Sequence, residues 1–279
     1  MGASCRRRHP LRVWLPRTTA AALLLLLGAG AGSGEAAEIR SAKVTFQRRD
    51  GRTITAFLLR PAESRRHPAV LIFHGAPGVG ESHKAHARRL AGAGFVALLP
   101  DLASIKPGAN ESAGLIRSEI AAAVSLLKGR RDVDPNRLGL LGFARGGERA
   151  FFAAIAFPAT FKAVAEYYSP IGHPPMNLDL AVRNTASKIR APVLILHGED
   201  DQLVPVEHAR RLAEALRSAG KPFESIIFPG AGHGFDQEGK PWYNPVAARE
   251  AEAGTLAFFA RHLQGPPESL TDRKSRAQE

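Results

Sequence analysis

The stretch Leu138-Gly139-Leu140-Leu141-Gly142-Phe143-Ala144-Arg145-Gly146-Gly147 decides how the rest of the chain is read. An apolar run of the buried-strand kind ends at Leu141, glycines stand at 142, 146 and 147, and an apolar-periodic helical pattern runs from Gly147 to Phe157. That order predicts a strand turning sharply into a helix, with glycine wherever a side chain would collide. Further short apolar runs lie on either side: Ala69–Phe73, Phe95–Leu99, Ala163–Tyr167, Val193–Leu196 and Ser225–Phe228. Helical patterns separate them at Ser82–Ala93, Glu111–Lys128, Pro205–Ala219 and Ala247–Leu263, with Pro205 as a first helical residue and Gly220 just past a C-terminus. Ahead of all these, Ala42–Gln47 and Thr53–Arg60 alternate apolar and polar residues around Asp50-Gly51, an antiparallel hairpin signal. The expected fold class is therefore α/β. A mostly parallel eight-stranded sheet carries helices on both faces, because strand-helix-strand crossovers are right-handed. Only Ser169–Arg190 reads as irregular, too short for a lid domain, and there is no internal repeat.

Composition agrees with one packed domain. The 279 residues are 44% hydrophobic and 23% charged, which excludes a disordered, fibrous or multi-span membrane chain. Arg6, Arg7, Arg8, Arg12 and Arg17 precede an uncharged stretch, residues 18–34, whose apolar heart is Ala20–Leu27, and Glu35-Ala36-Ala37 follows. This reads as a signal peptide over 1–37, hence an exported protein, periplasmic or secreted; an uncleaved anchor is the alternative. The folded domain then spans 38–264 and a polar tail 265–279. Losing five arginines and one glutamate takes the formal charge from +12 to +8, and no stable membrane insertion is expected afterwards. The remaining basic residues are spread among acidic ones without an aromatic stripe, so nucleic acid is not an expected partner. The only cysteine, Cys5, falls in the leader, leaving no thiol chemistry or disulfide in the domain.

In an open parallel sheet, reactive groups gather beyond the carboxyl ends of the strands. Four strand ends carry such signatures: His74-Gly75-Ala76-Pro77-Gly78, Gly142-Phe143-Ala144-Arg145-Gly146-Gly147, His197-Gly198-Glu199-Asp200-Asp201, and Gly230-Ala231-Gly232-His233-Gly234-Phe235. In chain order they fall where an α/β-hydrolase keeps its oxyanion loop, nucleophile elbow, acid and histidine. From about Lys43 to Leu263 the chain resembles the dienelactone hydrolase family. The resemblance is carried by HGAPG at 74–78, LLP at 98–100, VDPNRLGLLGFARGG at 133–147, HGEDDQLVP at 197–205, PGAGHGFD at 229–236 and YNPVAAREAEAGTLAFF at 243–259.

That resemblance implies a carboxylic ester or lactone hydrolase for small molecules, without a cofactor and without a large lid. Residue by residue it implies Ala144 in the nucleophile's seat, Asp201 as acid with Asp200 as backup, and His233 as base. Backbone N–H groups of Ala76 and Arg145 would form the oxyanion hole, while the Arg145 side chain and Tyr168 are candidate substrate contacts. One departure matters most: Ala144 replaces the Ser or Cys of the family, and a methyl group can neither attack a carbonyl nor be activated by a base. The expected chemistry is thus absent or very slow, with a noncatalytic protein that binds an ester, lactone or protein partner as the alternative. His74 reads as a structural residue of the oxyanion loop. His83 and His86 are three apart on a helix but lack further ligands, so no metal site is expected. Asn110 reads as a helix N-cap, and Ser169 lacks the glycine elbow a nucleophile needs.

Overall fold

The computed structural model describes residues 38–102, 112–171 and 177–265. Eight strands, β1 (Ile39–Gln47), β2 (Thr53–Pro61), β3 (His67–Phe73), β4 (Val96–Pro100), β5 (Val133–Phe143), β6 (Phe161–Tyr167), β7 (Val193–Gly198) and β8 (Phe223–Phe228), form one sheet in the order β1-β2-β4-β3-β5-β6-β7-β8. β1–β2 and β2–β4 are antiparallel and every other pair is parallel, the expected hairpin followed by crossovers. The chain therefore has the α/β-hydrolase architecture, with no large lid among the described residues.

Strand periodicity sorts the core into two layers. Leu71 and Phe73 of β3 point to one face, where α2 (Ala113–Lys128), α3 (Arg145–Ala156), α4 (Leu178–Lys188) and α5 (Glu207–Ser218) pack, while Val70 and Ile72 point to the other, covered by α1 (Glu81–Gly92) and α6 (Pro245–Phe259). β3, β4 and β7 are buried along their whole length because both faces are covered.

Several boundaries differ from the sequence reading. Ser169–Arg190 is not irregular throughout: it contains α4, capped by the Asn177 side chain, which accepts from the Leu180 N–H at 3.2 Å. Its buried residues are only Ala181, Val182 and Ala186, too few apolar side chains to announce a helix until α5 packs on them. Helix α2 starts at Ala113, with Ser112 rather than Asn110 as its cap; Ser112 Oγ accepts from the Leu115 N–H. Asn110, the leader over 1–37 and the tail beyond Gly265 lie outside the described residues. Pro205 precedes α5 instead of starting it, and the last helix ends at Phe259 and closes in a π turn over Ala260–Gln264. No described helix is long and apolar enough to cross a membrane.

Candidate functional site

The strand-to-helix turn is built as its glycines require. A Cβ on Gly146 would overlap the carbonyl of Phe73, and one on Gly142 would come within 2.6 Å of the Gly147 nitrogen, so helix α3 can press against the ends of β5 and β3 only with glycine there. Between them Ala144 takes φ +48° and ψ −123°, a backbone region that costs a non-glycine residue about 1–3 kcal/mol. The elbow thus keeps a strained, outward-presenting geometry although its side chain is a methyl group. Its amide is anchored by donation to the Tyr167 carbonyl at 2.9 Å, and the Gly147 amide closes the turn onto the Ala144 carbonyl at 2.8 Å.

The loop after β3 abuts this elbow. A Cβ built on Gly75 would lie 3.5 Å from the Ala144 methyl carbon. The loop turns tightly, with Gly78 donating to the Gly75 carbonyl at 3.2 Å, and leaves Ala76 exposed. Arg145 is the first residue of α3, so its N–H belongs to the first-turn donors that have no partner inside the helix. These are the two amides expected to face a developing oxyanion. His74 holds the loop: its Nδ1 donates to the Gly75 carbonyl at 2.6 Å while Nε2 accepts from the Leu102 N–H at 2.9 Å. The ring is therefore neutral, and burial lowers its pKa. Its role is structural, as its place in the sequence suggested.

The acid and base loops meet beyond β7 and β8. Asp201 Oδ1 accepts from the amides of Leu203 (2.9 Å) and Val204 (2.7 Å), which aims Oδ2 at His233 Nδ1, 2.8 Å away. Burial alone would raise the Asp201 pKa, but the bonds from His233 and those two amides hold it below the ordinary carboxylate range. A charged carboxylate facing Nδ1 fixes the proton there and leaves Nε2 of His233 as the free basic nitrogen. Asp200 is exposed, and its amide donates to the Ala231 carbonyl, so the backup candidate does not reach the histidine. His197, fully buried at the end of β7, braces the acid loop by donating from Nε2 to the Val204 carbonyl at 2.9 Å.

Tyr168 connects elbow and base, though not as a pocket lining. It has φ +43°, is 1% exposed, and its ring centre lies 4.7 Å from that of His233. Its hydroxyl donates to Asp236 Oδ1 at 2.6 Å, and Asp236 Oδ2 lies 2.9 Å from His86 Nε2. Behind the site there is thus a second His–Asp pair. His86 is engaged in it through Nε2, and His83 Nδ1 accepts from the Gly80 N–H. Sequence reasoning missed this pair and the His197 brace because no local spacing links residues 86, 168 and 236; the one hint was Asp236 standing three places after His233.

Two acidic residues crowd the base of α3. Glu166, entirely buried on β6, accepts from the Ser169 N–H at 2.9 Å, and burial pushes its pKa up to about 8. Glu148, in the first turn of α3, is raised to about 7 by burial, against the lowering effect of Arg145. Ser169 lies 1% exposed beneath the elbow, close enough to Gly147 that a Cβ there would overlap its Oγ, which leaves it no access to a substrate. The Arg145 side chain is exposed.

A family model described as the dienelactone hydrolase family matches residues 54–263. A protein of Methylorubrum extorquens, provisionally named a carboxymethylenebutenolidase, is 31% identical over 79% of this chain and 80% of its own length. One of a Bradyrhizobium species, provisionally named a 2-oxo-3-(5-oxofuran-2-ylidene)propanoate lactonase, is 30% identical over 77% of this chain and 92% of its own. Among solved structures, a Klebsiella pneumoniae protein provisionally named a dienelactone hydrolase superposes with a TM-score of 0.71 at 24% identity, covering 81% of this chain and all of its own.

Proposed function

The chain belongs to the dienelactone hydrolase family, and from that premise we propose that its site binds small carboxylic esters or lactones and, as the sequence stands, hydrolyses them slowly or not at all. The observation that carries this reading is the pairing of His233 Nδ1 with Asp201 Oδ2 at 2.8 Å, at the same carboxyl end of the sheet as an elbow whose Ala144 retains φ +48°. Base, orienting acid and strained turn are present, and the nucleophilic atom is not.

The slow route runs without a covalent intermediate. Nε2 of His233 takes a proton from a water molecule as its oxygen attacks the substrate carbonyl, and the amides of Ala76 and Arg145 receive the negative charge on the carbonyl oxygen. The imidazolium, stabilised by Asp201, then returns the proton to the departing alkoxide, giving acid and alcohol. Oxyanion binding and orientation without a nucleophile are worth about 10³- to 10⁴-fold over uncatalysed hydrolysis. The class of substrate follows the relatives' names, a butenolidase and a lactonase.

Ala144→Ser tests the assignment. With His233 and Asp201 acting on a restored hydroxyl, hydrolysis of p-nitrophenyl esters should rise by at least about 10³-fold and a serine-directed phosphonate should label residue 144. A folded Ala144→Ser protein that is no faster than the parent and is not labelled would favour a binding protein without turnover.

A further inference from the structure

The opposite pole of the sheet carries a feature the hydrolase reading does not use. The connection from β2 into β3 is Arg60-Pro61-Ala62-Glu63-Ser64-Arg65-Arg66, and the one from α2 into β5 is Lys128-Gly129-Arg130-Arg131-Asp132. Far apart in sequence, they are brought side by side because β3 and β5 are parallel neighbours: His67 pairs with Val133, and the His67 N–H donates to the Asp132 carbonyl at 3.0 Å. Together the segments hold six basic and two acidic residues.

They enclose a cleft of about 520 Å³ lined by Arg60, Arg65, Arg130 and Arg131, with Glu63, Ser64, Gly129 and Asp132. The arginines are oriented as well as concentrated. Asp132 binds Arg130 in a two-pronged contact, Nε to Oδ1 at 2.8 Å and Nη2 to Oδ2 at 2.7 Å, and its Oδ2 also lies 3.2 Å from Nε of Arg60. One carboxylate therefore aligns two guanidinium groups and neutralises only one. Glu63 binds Arg65 at 2.6 Å, and Arg131 is exposed on the same wall. Two uncompensated positive charges remain on the lining. Planar guanidinium forks held in place ahead of binding suit the tetrahedral oxygens of phosphate and lower the ordering cost a ligand would meet.

We propose that this cleft is a binding site for a phosphate-bearing ligand. It lies at the amino ends of β3 and β5, while the elbow and oxyanion loop leave their carboxyl ends. The seven residues of β3 separate the poles by about 20 Å. Occupancy therefore leaves the Ala144–His233 face open, and the proposal stands whether or not that face turns over an ester.

Calorimetric titration of the full chain with pyrophosphate, in parallel with citrate and with phosphatidylcholine vesicles with or without phosphatidic acid, tests it. At low salt, saturable binding of pyrophosphate should exceed that of citrate. Arg65→Ala or Arg131→Ala, both at exposed positions, should weaken it about tenfold or more, the loss of one charged hydrogen-bonding group. Lys221→Ala removes the same charge at the far end of α5 and should leave it intact. Arginine-dependent binding of phosphatidic acid vesicles without pyrophosphate binding would identify a lipid headgroup as the phosphate source; the reverse would identify a soluble ligand. Absence of saturable binding to either probe, citrate binding as tight as pyrophosphate, or equal losses in Lys221→Ala and Arg131→Ala would overturn the proposal.

Discussion

Two His–Asp pairs lie within a few side chains of each other, and they are built to opposite ends. In His233–Asp201 the carboxylate is sealed, with 0% of its side chain exposed, while the imidazole keeps 21% exposure and a free Nε2. In His86–Asp236 both partners are sealed, at 5% and 2%, and the remaining carboxylate oxygen is taken by the Tyr168 hydroxyl. Identical chemical groups therefore form a pair open to solvent in one place and a sealed structural clasp in the other. What separates them is the access of the imidazole to solvent. Tyr168 joins the two, its hydroxyl on the clasp and its ring against the base.

Kinetics should separate the two pairs most strongly. In the Ala144→Ser background, His233→Ala should remove at least about 10³-fold of ester hydrolysis, because base and nucleophile act as one unit. His86→Ala should cost less than about tenfold in the molecules that remain folded. Equal losses would mean that the buried pair takes part in the chemistry.

Stability should invert the ranking. Asp236→Ala strands a buried imidazole and a tyrosine hydroxyl, so urea unfolding should show a loss of about 3–5 kcal/mol. Asp201→Asn should cost only about 1–2 kcal/mol, since its amide oxygen can still accept from Leu203 and Val204 and its histidine still reaches water. Both aspartates have folded-state pKa values below the ordinary range, despite the opposing effect of burial. Their contributions are present above about pH 4 and are lost as pH falls through the depressed values, which acid titration of the two variants should show as a flatter profile.

Glu166 supplies the contrasting case of a buried carboxyl with no histidine. The native protein keeps its proton up to about pH 8, whereas the unfolded chain releases it near 4.5, so stability declines as pH rises between those values. Glu166→Gln, whose side-chain oxygen can still accept from Ser169, should be more stable than the parent by roughly 4 kcal/mol at pH 8 and no different at pH 4. The smallest effect belongs to Asp200→Asn. Its side chain is exposed and off the His233 axis, so stability should stay within about 0.5 kcal/mol and the Ala144→Ser rate should be unchanged. A large rate loss there would return the acid assignment to Asp200.

Much of this was legible before any coordinates. Every expected strand is present within a few residues, because buried parallel strands read as short apolar runs such as Ala69–Phe73 and their alternation with helices leaves few topologies. Ala144, Asp201 and His233 were legible because each sits at a strand end in a glycine-marked turn. Helix α4 was not, since alanines and one valine make a weak stripe whose burial depends on α5. The second His–Asp pair and the two basic connections were not either.

Amino-acid order by itself determined the layered α/β fold, the elbow and the alanine at its tip, since each depends on residues near one another in the chain. Tertiary structure alone decided which His–Asp pair stays open to solvent, that Tyr168 joins the two, and which arginines share a cleft. Exposure and hydrogen-bond partnership arise from neighbours up to 150 positions away, and no local pattern encodes them.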